Sequence, residues 1–180
     1  MKKIVVSLVA LVLLSVVAHA QTEKNNWLVG GNLQLNTAKS NTVIGLTPMA
    51  GKFIVNNFVV GGNFNLTYSK TGTDKQTQFG VGPFARYYFF TARLRPFIQA
   101  DVNFESANSS GIGYSSTYNG TNYFLGGGAA YFINDNVSLE ALAGYDHYKY
   151  NGLDGTGGFK LSFGFQVYLH EREVAHLKGQ

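Results

Sequence analysis

Apolar and polar residues alternate through most of the chain. Residues 26–37 set Trp27, Val29, Gly31, Leu33 and Leu35 on one parity against Leu28, Gly30, Asn32, Gln34 and Asn36 on the other. Residues 58–69 set Phe58, Val60, Gly62, Phe64, Leu66 and Tyr68 against Gly61, Asn63, Asn65 and Thr67. Residues 96–105 set Ile98, Ala100, Val102 and Phe104 against Gln99, Asp101, Asn103 and Glu105. A seventh run opposes Val137, Leu139, Ala141, Ala143 and Tyr145 to Ser138, Glu140, Gly144 and Asp146, with Leu142 an exception. An eighth opposes Phe159, Leu161, Phe163, Phe165 and Val167 to Lys160, Ser162, Gly164 and Gln166. Successive strand side chains point to opposite faces, so each run predicts a strand with one apolar and one polar face.

The intervening even-numbered segments are noisier but repeat one another. Gly51-Lys52-Phe53-Ile54-Val55-Asn56-Asn57-Phe58 aligns with Ala130-Tyr131-Phe132-Ile133-Asn134-Asp135-Asn136-Val137, and Pro48-Met49-Ala50 with Pro83-Phe84-Ala85. The repeat places Pro48, Pro83 and Tyr131 on the outer face and Arg86, Phe53 and Phe132 on the inner one. Proline cannot donate to a ladder, so Pro48 and Pro83 predict a bulge or a local break in pairing. Connections at 55–57, 91–95 and 134–136 are short. Those at 71–76, 107–121 and 149–155 are longer; the first, at 38–41, is short where the pattern wants length. Short turns at one end and longer loops at the other predict eight antiparallel strands in an up-and-down transmembrane barrel with both termini on the turn side. Trp27, Tyr87 and Tyr131 would lie at the periplasmic girdle, and Tyr68, Phe79, Phe104, Tyr123 and Phe159 at the outer one.

Composition turns this all-β pattern toward a membrane. Charged residues are 13%, against roughly 25% in soluble domains, while aromatics are 14% and there are 22 glycines. The only long apolar stretch is at the start. Lys2 and Lys3 precede an apolar run over 4–17 and an Ala18-His19-Ala20 site. That is the layout of a cleaved secretory signal over 1–20; an uncleaved N-terminal anchor is the alternative. The barrel is then expected over 21–170, followed by a short charged periplasmic tail over 171–180. No cysteine is present, which excludes a lipoprotein anchor, disulfides and thiolate metal sites. Lys2 and Lys3 account for two of the four net positive charges, and the scattered remainder does not suggest nucleic-acid binding.

A secreted soluble barrel would also alternate, but with its polar face in water and rich in Lys and Glu. Here that face is Gly, Asn, Gln, Ser and Thr with sparse charges of both signs, which suits a confined lumen. The aromatic-turn-Asn repeat, the signal and the aromatic last strand resemble the outer membrane protein beta-barrel domain family, the small barrels of the OmpA transmembrane domain and OmpX kind. The resemblance covers nearly the whole chain after residue 20 and implies location in the bacterial outer membrane. Many such barrels end on an aromatic residue; here Tyr168-Leu169-His170 is followed by the charged tail. The resemblance implies no OmpA-type wall tether, since no peptidoglycan-binding domain follows.

Catalytic signals are weak. His147 stands beside Asp146 at the outer end of the seventh strand, and some small outer-membrane barrels are lipid A enzymes using His with Ser. No His-x-Ser arrangement follows His147, and the hairpin register sets it opposite Gly157. A girdle histidine is the reading taken, with no enzyme activity, cofactor or metal expected. The glycine runs, such as Gly126-Gly127-Gly128, follow strand alternation and read as close packing in the wall.

Inward charges are more informative. Arg86, Asp101, Glu105, Glu140, Asp146 and Lys160 share the inner parity and predict an ion-pair network in the lumen. Hairpin pairing brings Arg86 toward Gln99 and Asp101, and Lys160 toward Gly144 and Asp146. An eight-stranded interior is just wide enough to be filled by side chains, so the network reads as a plug, with a narrow or gated ion path as the alternative. At the third long loop, 107–121, Tyr114 and Tyr118 stand among Ser, Gly and Asn without a charge, the composition of adaptable binding loops and also of disordered ones. The leading function is a non-enzymatic surface and envelope protein; a narrow-pore transporter is the alternative. Expected partners are outer-membrane lipid and lipopolysaccharide, periplasmic chaperones and the barrel assembly machinery, and an extracellular ligand.

Overall fold

A computed structural model describes residues 22–38, 41–72, 74–111, 114–152 and 154–170. Residues 1–20 and 171–180, read above as signal and tail, lie outside the described residues. The described chain is eight strands: β1 (Trp27–Ala38), β2 (Asn41–Val55), β3 (Phe58–Thr71), β4 (Asp74–Tyr88), β5 (Leu94–Gly111), β6 (Tyr114–Phe132), β7 (Val137–Tyr150) and β8 (Thr156–Leu169). Every neighbouring pair is antiparallel, and β8 returns to β1 to close the barrel.

Alternation becomes an inside and an outside. Leu33, Leu46, Phe64, Val81, Phe104, Leu125, Tyr145 and Phe163 lie exposed on the outer face. Asn32, Asn65, Gln99, Asn122, Ser162 and Gln166 lie buried on the inner one. A belt of exposed large apolar side chains around a closed sheet has no stable place in water; it is the lipid face of a barrel. Among the described residues no helix is long and apolar enough to cross a membrane. The strands cross instead, with their backbone groups paired along most of each ladder.

The turn end carries the first and last described residues, Thr22 and His170, and the connections after β2, β4 and β6. It is stitched by backbone bonds: Asn57 N donates to Thr22 O at 2.7 Å, Phe132 N to Arg93 O at 2.9 Å, and Tyr168 N to Asn136 O at 2.7 Å. Lys52 lies over the Trp27 ring at 5.9 Å and Arg93 over Tyr131 at 5.6 Å. Aromatic bodies with cationic tips suit a membrane–water boundary. Pro48 and Pro83 face outward as expected. The ladder lapses beside each, between Leu46↔Leu66 and Met49↔Asn63 and between Val81↔Phe104 and Phe84↔Asp101, without a change of register. The bulge falls elsewhere, between Phe53 and Val55, where the chain enters the Asn56-Asn57 turn with Asn57 at φ 66°.

Two long connections are not loops. Residues 107–121, expected as a flexible loop bearing Tyr114 and Tyr118, are strand except at 112–113, which lie outside the described residues; β5 and β6 stay paired from Leu94↔Tyr131 to Gly111↔Tyr114. Likewise β3 and β4 pair up to Thr71↔Asp74. Loop-like composition misled here because a ladder is made of backbone groups: polar side chains are no obstacle once β4 offers an edge, as it does from Lys75↔Ser110 downward. At 18 and 19 residues, β5 and β6 exceed the roughly 9–11 needed to span a bilayer. Residues 105–111 project about 20 Å along the strand beyond the Phe104 girdle. The β6–β7 ladder begins only at Gly120↔Tyr150, so the upper part of β6 is a sheet edge. One seam is also incomplete: β1 pairs with β8 from Trp27↔Leu169 to Leu33↔Phe163 and no further, although both strands continue.

Candidate functional site

The inward parity of β1–β8 builds two lumen layers. Near the turn end, Phe53, Tyr88, Phe97, Phe132 and Tyr168 pack with Leu28 and Val59, all buried. Ring centroids stand 4.8 Å apart for Phe132–Tyr168 and 5.5 Å for Tyr88–Phe97. Set into this layer, Arg86 and Glu140 form a fully buried ion pair, Nη1 to Oε2 at 2.7 Å. Arg86 also donates to Gln99 through Nε at 2.8 Å and to the Tyr88 hydroxyl through Nη1 at 2.8 Å, and its guanidinium lies 4.2 Å from the Phe97 ring centre. The other carboxylate oxygen of Glu140 receives Tyr168, Tyr88 and Ser138 hydroxyls at 3.2–3.3 Å. A buried ion pair persists only when its remaining hydrogen-bonding capacity is met, and here it is met by neutral partners. Beneath, Arg95 donates to Thr22 Oγ1 at 3.0 Å and to Ala92 O at 2.8 Å, and covers Phe132 at 4.3 Å. Apolar rings and a hydrogen-bonded ion pair occupy the lumen at this level.

Above the plug the lumen is polar. Asp101 accepts from Gln99 at 2.8 Å and from Asn63 at 3.4 Å. Glu105 accepts from Asn65 at 3.1 Å and from Gln78. Asp146 accepts from Asn122 at 3.1 Å and faces Lys160 Nζ at 3.4 Å. At the mouth, Tyr148 and Tyr150 stack with centroids 6.4 Å apart. Tyr118 sits on the inward parity of β6, two residues above Gly120, which pairs with Tyr150.

The six inward charges therefore separate into two groups. Arg86 and Glu140 come together below; Asp101, Glu105, Asp146 and Lys160 occupy the upper lumen. The expected approach of Arg86 to Asp101 is corrected: Arg86 is paired with Glu140, and Asp101 is held by amides. Hairpin adjacency set Arg86 opposite Gln99, but an inward arginine reaches across a narrow lumen, and β7 presents its carboxylate there. Lys160 pairs with Gly144 in the ladder and is diagonal to Asp146. Tyr114 pairs with Gly111 at the hairpin tip; its side chain lies outside the described residues. His147 pairs with Gly157. Sequence reasoning missed Tyr88, Tyr168 and Arg95, although all three continue the polar parity of their strands. It also missed the amides that orient Asp101, Glu105 and Asp146.

Comparison with curated protein sequences finds no match. Among solved structures the barrel is similar to Neisserial surface protein A (TM-score 0.63, 19% identity, covering 79% of this chain and 95% of that one). It is also similar to the N-terminal β-barrel domain of Pseudomonas aeruginosa OprF (TM-score 0.57, 14% identity, 81% and 98%). A third likeness is to Ail, the attachment invasion locus protein of Yersinia pestis (TM-score 0.54, 15% identity, 82% and 99%). Identities this low carry the fold alone. The family described as outer membrane protein beta-barrel domain matches residues 6–172. A closed eight-stranded sheet, an apolar belt on its outside and a family match over nearly all of its length agree: the chain belongs to the outer membrane protein beta-barrel domain family, and it is a protein of the bacterial outer membrane.

Proposed function

We propose that this protein is a non-enzymatic surface protein that binds an extracellular partner at the barrel mouth. The observation that carries the reading is a fully buried Arg86–Glu140 pair set among packed rings in the lower lumen, beneath a wall of paired strands that rises past the outer girdle. A rigid scaffold whose longest strands extend above the membrane is built to present a surface. Tyr118, Tyr148 and Tyr150 supply aromatic contact area of low rotamer entropy there, and the Ser- and Asn-rich hairpin supplies adaptable hydrogen bonding. The unpaired upper edge of β6 adds backbone donors and acceptors that a partner strand can use. Among the printed names of structural neighbours, Ail is called an attachment invasion locus protein, which accords with a surface role.

The test compares intact cells carrying the wild type with cells carrying a hairpin shortened to a tight turn near Glu105–Gly120, and with Tyr118→Ala/Tyr150→Ala. Adhesion to host cells, phage sensitivity and binding to lipopolysaccharide are measured, with heat-modifiable gel mobility as the folding control. Loss of one of these with the barrel folded supports the reading. No change in any of them refutes it.

A further inference from the structure

Charge is sorted by face on this barrel. Among the described residues the acids within strands are Asp74, Asp101, Glu105, Glu140 and Asp146, and all of them take the inward parity. The charged residues on the outward parity are Lys52, Lys70, Lys75 and Lys149, with no acid among them. Lys52 lies at the turn end, over the Trp27 ring. The other three stand at the loop end, each two to four residues past an exposed aromatic of its own strand: Lys70 after Tyr68 on β3, Lys75 beyond Phe79 on β4, and Lys149 after Tyr145 on β7. That spacing is about 7–13 Å along a strand, or about 5–10 Å of height at the tilt of such barrels. The headgroup zone extends about 5–8 Å beyond the hydrocarbon core on each side. These three ammoniums therefore stand at headgroup level.

Two of the three are set side by side. Lys70 and Lys75 are direct partners in the β3–β4 ladder, and both are exposed. Side chains directly opposite on one face have Cβ atoms about 4.5–5.5 Å apart, and like charges there weaken the pairing. Neither lysine is paired with a carboxylate among the described residues. Asp74 is next to Lys75 in sequence but takes the other face of the sheet, opposite Thr71. The row continues on either side with hydroxyls, Thr42 opposite Lys70 on β2 and Ser110 opposite Lys75 on β5. Two ammoniums and two hydroxyls in one outward row form a donor set for an anion with several oxygens.

We propose that the outward Lys70–Lys75 pair binds a phosphate of a phosphorylated glycolipid in the outer leaflet, with Thr42 and Ser110 as flanking donors. Position selects lipid as the source of the phosphate: the pair faces away from the lumen and stands at the level of headgroups. The lysines that face outward without an acid beside them match an anionic lipid surface in sign. Lys149 has Thr121 as its ladder partner on β6, so it adds general attraction and no second clamp. The inference rests on the location of the barrel in the outer membrane and is independent of binding at the mouth.

The experiment uses the folded full chain in an uncharged maltoside detergent. Diphosphoryl lipid A, or the same lipid with both phosphates removed, is titrated at constant low ionic strength, and native mass spectrometry counts the lipid retained. One diphosphoryl lipid A per chain is expected, held more tightly than the phosphate-free form. A lysine near an anionic surface is worth about fivefold in binding, so Lys70→Gln/Lys75→Gln should weaken retention about 30-fold. Lys70→Arg/Lys75→Arg should retain the lipid, and Lys52→Gln and Lys149→Gln should each cost about fivefold or less. Without lipid, Lys70→Gln/Lys75→Gln should unfold no sooner than the wild type, because it loses a like-charge contact; a merely structural lesion would have the opposite sign. Tyr118→Ala/Tyr150→Ala should keep lipid A, which separates this site from the mouth. The proposal is overturned if phosphate-free lipid is held as tightly, or if Lys70→Gln/Lys75→Gln binds like the wild type. It is also overturned if Lys52→Gln or Lys149→Gln costs as much as the double variant, which would mean diffuse attraction, or if millimolar inorganic phosphate displaces the lipid, which would mean a free-anion site.

Discussion

The Arg86–Glu140 pair offers the sharpest test of the plug. Replacing Arg86 with Met leaves the Glu140 carboxylate buried, with both side chains of the pair at 0% exposure. Breaking such a pair from one side costs about 3–5 kcal/mol. Three hydroxyls still reach Glu140 Oε1 at 3.2–3.3 Å, so Arg86→Met should fall near the lower figure. Glu140→Gln keeps an acceptor for Arg86, which retains Gln99, Tyr88 and the Phe97 face. Its loss should be smaller, about 2–3 kcal/mol. The double variant Arg86→Met/Glu140→Gln leaves no stranded charge and should recover at least about 1.5 kcal/mol of the summed single losses, roughly tenfold in the folding equilibrium. The assay is reversible urea unfolding in lipid vesicles, read by gel mobility before boiling. An Arg86/Asp101 cycle is the comparison and should couple more weakly, because the two meet only through Gln99. Additive losses for Arg86/Glu140, or coupling that is larger for Arg86/Asp101, would refute the pairing and the reasoning built on it.

Planar-bilayer recordings of the wild type should show no steady conductance, whereas Phe132→Ala/Tyr168→Ala, which removes two packed rings, should open small steps; steady wild-type current altered by Arg86 or Glu140 variants would favour the transport reading instead. Gly61→Ala should cost about 1–3 kcal/mol by overpacking, since its Cβ would press on the backbone of Ala50 and Gly51, while Gly158→Ala, with nothing within 4 Å, should be neutral in the same urea assay. Hydrogen exchange followed by mass spectrometry should show weak protection at Gln34–Leu35 and Leu161–Ser162, beyond the last β1–β8 pair, and strong protection at Val29–Leu33; uniform protection along β1 would show that the seam is closed. Protease added to intact cells should cut at 151–155, the longest remaining outer connection, before the paired β5–β6 hairpin.

Which face each side chain takes was legible from local pattern, because strand geometry reverses direction at every residue and needs no partner to do so. Arg86, Asp101, Glu105, Glu140, Asp146 and Lys160 could be placed inside from parity, Pro48 and Pro83 outside from the repeat, and the low charge marked the outside as lipid. Tyr88, Tyr168 and Arg95 were within reach of the same rule and were overlooked because aromatic and cationic residues near a turn resemble a girdle. The hairpin was misread for a different reason. Residues 107–121 look like a loop by composition, but their order comes from the backbone edge of β4 and from each other, and a ladder does not distinguish serine from valine. Least legible was who meets whom. Glu140 lies 54 residues from Arg86, and Asn63 lies 38 from Asp101. Such neighbours are decided when a tilted sheet closes on itself and brings non-adjacent strands face to face across a lumen too narrow to keep their side chains apart. Alternation is a property of each strand; the contacts inside a barrel are a property of its closure.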